Sequence, residues 1–431
     1  MRVLFLLHAH PELQAGGTEI FARDLFRTLK REHGMDGLFL AGTAVHQRPQ
    51  SPGTPFQTVG GEPDELLVWS GGFDAFHMSQ IDLHGVAHPL AALLAELRPN
   101  VVHVHHLLTL GVEVVGLVRR VLPGVPIVMT LHDYYPICAN DGQMVTTAGA
   151  LCHMATPDGC ARCFPEQGLT EWRLRALHVG GALAQVDHFI APSRFLRDRY
   201  VDWGIAPHRI SVVPNGLPDI APVPHREAAR TGGRRDRFAF FGHINRFKGA
   251  TVALAASALL SRDGVPHRLA LHGGTDHQAP DTLARFERAR DTAPDARHFG
   301  GYRRTDMPRL IADADWVVFP SEWWENAPLV INEAFAHRRP VIATAIGGAA
   351  ELVQDGVNGM HVAVSDPGAL AAAMARAAAE PDLWELLVDG ITPPVSVSAS
   401  AALHRQLYET LCEAAAAQNT AGRRVATRSA A

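Results

Sequence analysis

From its first residues the chain alternates short apolar runs with helix-length amphipathic stretches, and it does so twice. Met1 to Leu7 reads as a buried strand, Thr18 to Arg31 as an amphipathic helix and Gly37 to Ala41 as a strand. Leu90 to Leu97 reads as a helix with apolar residues at i, i+3, i+4 and i+7. After a polar stretch from Ala221 to Arg237 the rhythm restarts. Phe238 to Phe241, His267 to Leu271, Trp316 to Phe319 and Val341 to Ala343 read as strands, with helices at Ala250 to Leu260 and Met307 to Ala312. Strands alternating with helices require crossover connections, which build parallel sheets covered on both faces. The pattern predicts an α/β chain of two doubly wound domains, joined at the turn chemistry of Pro214-Asn215-Gly216-Leu217-Pro218.

The expected division is 1–215, carrying a Cys-rich insertion at about 138–170, and 216–398. A C-terminal helix over 399–417 should pack back on the first domain, followed by a disordered tail over 418–431. Residues 51–80, rich in Gly, Pro and Ser, are expected to loop out. Apolar residues make up 47% and charged residues 19% of 431, enough to bury two cores. The net charge of −5 offers no global basic field, so nucleic acid is not an expected partner. The apolar run Val3 to Leu7 is far too short to span a membrane or act as a secretory segment, which makes the chain read as cytoplasmic. Arg23, Arg27, Lys30 and Arg31 allow peripheral contact with anionic lipid, against the plainer reading of a solvated helix face.

The densest chemistry lies between 315 and 360. Glu325 and Glu333 stand eight residues apart, with Asn326, Pro328, Leu329 and Val330 between them. With Asn326 as a helix cap and Pro328 in the first turn, Glu325 sits at the helix mouth and Glu333 two turns in. The N–H groups of Leu329 and Val330 then face an anion at the positive helix end. A solvated face explains any single Glu. Here, however, Pro320-Ser321 lies upstream, and Pro340-Val341, Gly347-Gly348, Glu351 and Asn358-Gly359 lie downstream. The segment resembles the Glu-x7-Glu signature of family 4 retaining glycosyltransferases, the glycogen synthase and mannosyltransferase-like group.

Other landmarks of that family stand in order along the chain. Gly16-Gly17-Thr18-Glu19 follows the first strand. In Phe241-Gly242-His243-Ile244-Asn245-Arg246-Phe247-Lys248-Gly249 the family usually carries an Arg after the Gly and a Lys five positions on, both neutralising the nucleotide diphosphate. This chain keeps Lys248 and has His243 in the Arg position, with Arg246 nearby to supply a guanidinium. His132, ending the apolar run Val125 to Leu131, resembles the family His that contacts the donor sugar. Gly300-Gly301-Tyr302 resembles the loop that reads the nucleotide base. His103, His105 and His106 fit an acceptor-side lining or ordinary loop histidines.

The resemblance implies a GT-B fold, two doubly wound Rossmann-like domains facing a central cleft. It also implies transfer of a sugar, with retention, from a nucleotide diphosphate sugar (UDP or GDP) to a hydroxyl acceptor such as a glycan, a lipid-linked glycan or a small molecule. His132, Glu325 and Lys248 would be catalytic. Gly16, Gly17, His243, Arg246, Lys248, Tyr302, Glu325, Asn326, Pro328, Leu329, Val330 and Glu333 would bind the donor. The chemical step would need no cofactor, Lys and helix amides taking the place of a metal. The competing readings are a nucleotide-sugar epimerase on the same fold and a catalytically degenerate nucleotide-sugar binder, which the His243 departure favours.

Cys138, Cys152, Cys160 and Cys163 fall within 26 residues, directly after His132. The cluster fits a structural Zn²⁺ that closes its coordination sphere with four thiolates, two disulfides, or free buried thiols.

Overall fold

The computed structural model describes residues 1–44, 47–226, 233–276 and 278–429. Residues 227–232 of the polar stretch and the last two of the expected tail lie outside them. The chain divides into two compact units, Met1–Pro218 with Val395–Ala431, and Asp219–Pro394.

The first unit carries strands β1 (Arg2–Leu7), β2 (Asp36–Thr43), β3 (Phe56–Thr58), β4 (Glu65–Trp69), β5 (Phe73–Asp74), β6 (Ser79–Gln80), β7 (Val101–Val104), β8 (Ile127–Thr130), β9 (His188–Ala191) and β10 (Ile210–Val212). Eight of them form one sheet in the order β10-β9-β8-β7-β1-β2-β4-β3, parallel except for β3, and β5 pairs with β6 alone. Residues 51–80 therefore do not simply loop out: β3 and β4 extend the sheet, and the continuous apolar run Leu66 to Trp69 wins over the surrounding turn residues. Strand order reverses between β1 and β7, so the loops after β1, β7 and β8 meet at a topological switch point, where ligands bind in such sheets.

Val3, Phe5 and Leu7 point to one face of this sheet and join Phe21, Leu25, Phe39 and the C-terminal residues Ala401 and Tyr408 in one core. Burying each large apolar side chain contributes about 2 kcal/mol. The C-terminal helix, Val397–Ser429, thus belongs to the first unit. It runs past residue 418 where a tail was expected, because Ala-rich sequence with interspersed Arg has high intrinsic helix propensity.

The second unit carries β11 (Arg237–Phe241), β12 (Arg268–His272), β13 (Ala296–His298), β14 (Trp316–Phe319), β15 (Val341–Thr344) and β16 (Gly359–Val362), all parallel in the order β13-β12-β11-β14-β15-β16. Phe238 and Phe240 enter the core on one face of the sheet, Ala239 and Phe241 the core on the other, the period-2 signature of a strand buried on both sides. The switch point falls between β11 and β14, which brings together the loops 242–249 and 320–328. No helix among the described residues is long and apolar enough to cross a membrane.

Candidate active site

At the second unit's switch point, the loop after β11 is a built turn. The Asn245 carboxamide oxygen accepts hydrogen bonds from the N–H groups of Phe247 (2.9 Å) and Lys248 (3.0 Å). Gly249 follows at φ 76°, and a Cβ there would lie 1.8 Å from the Pro320 carbonyl oxygen, so only glycine lets this loop lie against the end of β14. The Glu322 N–H closes the contact on the Phe247 carbonyl at 2.7 Å. Lys248 Nζ is thereby brought 2.6 Å from Glu325 Oε1. The same oxygen accepts from the indole N–H of Trp323 at 2.8 Å and faces Ser321 Oγ at 3.0 Å.

The helix after Glu325 runs Leu329–Ala336 with Pro328 as its N-cap and no side-chain cap. The cap is therefore Pro328, not Asn326: Pro328 has extended backbone at ψ 115°, and the helix begins one residue later. Its first N–H groups, at Leu329 and Val330, lack a capping side chain, the arrangement that accepts an anion. Gly347 and Gly348 open the next helix. A Cβ on Gly348 would lie 1.8 Å from the Asn326 carbonyl oxygen, and the Gly348 N–H donates to the Glu325 carbonyl, so the Gly-Gly pair holds the backbone of the Glu325 loop.

Glu333 is buried on the next turns of the helix, its carboxylate 3.3 Å from Arg304 Nε. Burial pushes its pKa above the usual Glu range, against the opposing pull of Arg304. Tyr302 packs edge-on against Phe241, and burial raises its phenol pKa. His243, in the position of the family Arg, is exposed and faces the Asp276 carbonyl at 2.9 Å. Arg246 is exposed, its guanidinium over the Phe247 ring. Lys248, Glu325, Pro328, Leu329 and Val330 are thus brought together; Arg304, Ser321 and Trp323 join them without having been legible as site residues. Trp323 lay inside the recognised segment, but its role depends on where the indole points, which spacing does not encode.

His132, Gly16 and Gly17 belong to the first unit. Gly16 caps the helix Gly17–His33 without a side-chain hydrogen bond. His132 follows β8, its Nε2 3.0 Å from His105 Nδ1, and burial lowers its pKa to about 3. It stands in a group of histidines at the strand ends. His8 Nε2 lies 2.9 Å from Glu19 Oε1, and His106 Nε2 lies 2.6 Å from Asp133 Oδ2. The His8 and His106 rings are 4.4 Å apart. The Leu108 N–H donates to His106 Nδ1, which fixes His106 as the tautomer that donates to Asp133. The first unit therefore presents imidazoles and carboxylates at its switch point.

Arg23, Arg27, Lys30 and Arg31 do not offer a free basic face. Arg23 pairs with Glu12 and Glu65, Arg27 with Glu62 and Glu65, Lys30 with Asp64, and Arg31 with Glu32. The four clustered cysteines form no disulfide, and burial raises the pKa of Cys138 and Cys152 and pushes Cys160 up to about 11. Among the described residues no three His, Cys, Asp or Glu side chains are spaced to hold a metal ion. Within the insertion, Thr147 Oγ1 donates to the Cys163 carbonyl at 2.6 Å. Arg175, buried, donates to the carbonyls of Phe76, Tyr135 and Pro136.

Two family models match the chain, "Glycosyltransferase Family 4" over residues 15–219 and "Glycosyl transferases group 1" over residues 235–380. A D-inositol 3-phosphate glycosyltransferase from Actinosynnema mirum is 30% identical over 391 residues, covering 86% of each chain. One of the same name from Geodermatophilus obscurus is 26% identical, covering 92% of this chain and 89% of its own. Among solved structures, sucrose-phosphate synthase from Thermosynechococcus elongatus aligns at TM-score 0.70 and 20% identity, over 96% of this chain and 100% of that one. Anabaena HepE in complex with UDP and glucose aligns at TM-score 0.64 and 18% identity, over 95% and 99%. Two doubly wound units, a Lys and Glu joined at the second one's switch point, and relatedness across most of the length converge on one assignment: the chain belongs to the family 4 glycosyltransferases of GT-B fold and is a retaining, nucleotide-sugar-dependent glycosyltransferase.

Proposed function

We propose that the second unit binds a UDP-sugar and that the acceptor is a hydroxyl of a small phosphorylated polyol of the inositol phosphate kind. The observation that carries the donor reading is the Lys248–Glu325 contact beside the uncapped start of the helix Leu329–Ala336. One cation, a row of N–H groups and one oriented carboxylate side by side support a site that takes a diphosphate and its sugar. The acceptor proposal rests on the curated relatives, named for D-inositol 3-phosphate, and UDP on the solved neighbours that contain it.

In this reading Lys248 and the N–H groups of Leu329 and Val330 stabilise the charge that grows on the departing diphosphate. Glu325 accepts a hydrogen bond from the donor sugar and Glu333 from the ribose. The acceptor oxygen bonds to the anomeric carbon on the face the diphosphate leaves. The acceptor proton passes to the departing phosphate oxygen, so configuration is retained without a protein nucleophile. The chemistry then needs no metal, and transfer should persist in chelator. Release of UDP from UDP-sugars, measured with and without D-inositol 3-phosphate, tests the assignment: acceptor-stimulated release supports it. A GDP-sugar preference would refute the base, and indifference to the acceptor would refute the polyol phosphate.

A further inference from the structure

We infer that Trp323 is a positioning residue that decides which oxygen of Glu325 meets the donor sugar. The inference rests on the donor reading above and deepens it.

Glu325 is buried at 5% exposure, and its two oxygens are treated unequally. Oε1 faces Lys248 Nζ at 2.6 Å, the Trp323 indole nitrogen at 2.8 Å and Ser321 Oγ at 3.0 Å. Three donors around one carboxylate oxygen exhaust its lone pairs. No described residue donates a hydrogen bond to Oε2. A buried carboxylate with one oxygen saturated and the other open has a single direction in which to accept from a ligand, and that direction is set by whatever holds Oε1.

The three donors are not equivalent. Lys248 has a second task, because its ammonium must also meet the diphosphate, and its side chain retains 27% exposure to move toward it. Ser321 has one proton and two acceptors in reach, since its Oγ also lies 3.2 Å from the Phe247 carbonyl. Trp323 has one N–H and one acceptor. Its ring lies 6.4 Å from that of Phe247 and has Lys248 Nζ 5.5 Å from its centroid, so the indole is braced by the same loop that carries the lysine. When nucleotide draws Lys248 away, Trp323 is the donor that still holds Oε1, and Oε2 stays aimed at the sugar. The nucleotide moiety itself gains nothing from this contact.

The separation of sugar from nucleotide gives the test. Trp323→Phe keeps an aromatic ring beside Phe247 and Lys248 while removing the N–H together with part of the indole. Titration calorimetry would compare UDP with UDP-glucose, and GDP with GDP-mannose, on wild type and variant, alongside kcat for donor hydrolysis. The expected result on whichever pair the wild type binds is nucleoside diphosphate affinity within about twofold of wild type, with nucleotide-sugar affinity and kcat each down about tenfold, the scale of one hydrogen bond to a charged group. Equal weakening of both ligands would show a merely structural role and overturn the inference, as would a variant indistinguishable from wild type. Wild-type protein that binds neither pair would instead overturn the donor reading, and this inference with it. Trp323→His, which restores an N–H donor, should recover part of the lost sugar discrimination; no recovery alongside a folded variant counts against the role.

Discussion

Lys248 and Glu325 form an ion pair at 2.6 Å, and in the proposed donor mode a diphosphate competes for one half of it. Lys248→Ala should weaken nucleoside diphosphate binding about 10- to 100-fold, the range for a lost charge-assisted hydrogen bond, in a titration with UDP. Glu325→Gln keeps the shape but removes the charge, and should leave UDP affinity within a few-fold while transfer falls at least 100-fold. Glu333 adds a pH signature. Its pKa is raised by burial against the pull of Arg304, so on acidification it takes up its proton above the ordinary Glu value of about 4.3. A ribose contact that needs the carboxylate then weakens earlier than an exposed Glu would allow. UDP affinity measured from pH 7 to 4.5 should fall toward acid more steeply in the wild type than in Glu333→Gln, the residual slope being that of the UDP phosphate itself.

At the scale of elements, glycines and one tyrosine carry specific tasks. Gly249→Ala places a Cβ 1.8 Å from the Pro320 carbonyl oxygen at φ 76° and must push the Lys248 loop off the end of β14. UDP affinity should drop at least tenfold in that variant, with a lowered melting temperature. The C-terminal helix is tied to the first sheet by Tyr408, whose hydroxyl lies 2.6 Å from His103 Nδ1 while His103 Nε2 faces Thr130. Tyr408→Phe leaves a buried imidazole nitrogen without its partner and should cost about 1–3 kcal/mol in chemical denaturation.

These elements also show what the sequence could and could not yield. The runs Val3 to Leu7 and Trp316 to Phe319 were legible as strands because burial on both faces makes them continuously apolar. Lys248 and Glu325 stood out as candidates because each falls in a motif local to one loop or one helix mouth. The strands β3 and β4 were hidden by Gly and Pro around them. The Arg304–Glu333 pair and the Trp323 hydrogen bond join residues through tertiary distance, which spacing does not report. The basic stripe Arg23 to Arg31 suggested a lipid-facing surface only because its acidic partners Glu62, Asp64 and Glu65 arrive from β4 and the turn before it.

At the scale of the whole molecule, buried histidines couple stability to pH. The first unit buries His103, His105, His132 and His404, and burial lowers all four, His132 to about 3 and His404 to about 4. Their rings lie close together, His103 and His105 at 4.0 Å and His103 and His404 at 5.7 Å. In the unfolded chain each takes a proton near pH 6.5, whereas in the folded unit each stays neutral well below that. Stability therefore falls as pH drops from 6.5 toward 4, by about 1.4 kcal/mol per pH unit for each such proton. His106 acts in the opposite sense. Burial would lower its pKa, but Asp133 raises it, so its contribution is present below pH 6.5 and lost as pH rises. The depressed histidines outnumber it, and denaturation of the first unit should become markedly easier between pH 6.5 and 4.5. His404→Leu, which removes an imidazole whose Nε2 is buried without a hydrogen bond, should flatten that dependence by about one proton.

The central claim is sugar transfer with retention at a donor site organised by Lys248 and Glu325. Proton NMR during the first minutes of donor hydrolysis tests it most directly, because it reads the configuration of the released sugar before the anomers equilibrate. With an α-linked UDP-sugar the α anomer should appear first, together with UDP, and both signals should vanish in Glu325→Ala. Initial release of the β anomer, or undiminished turnover in that variant, would contradict the account.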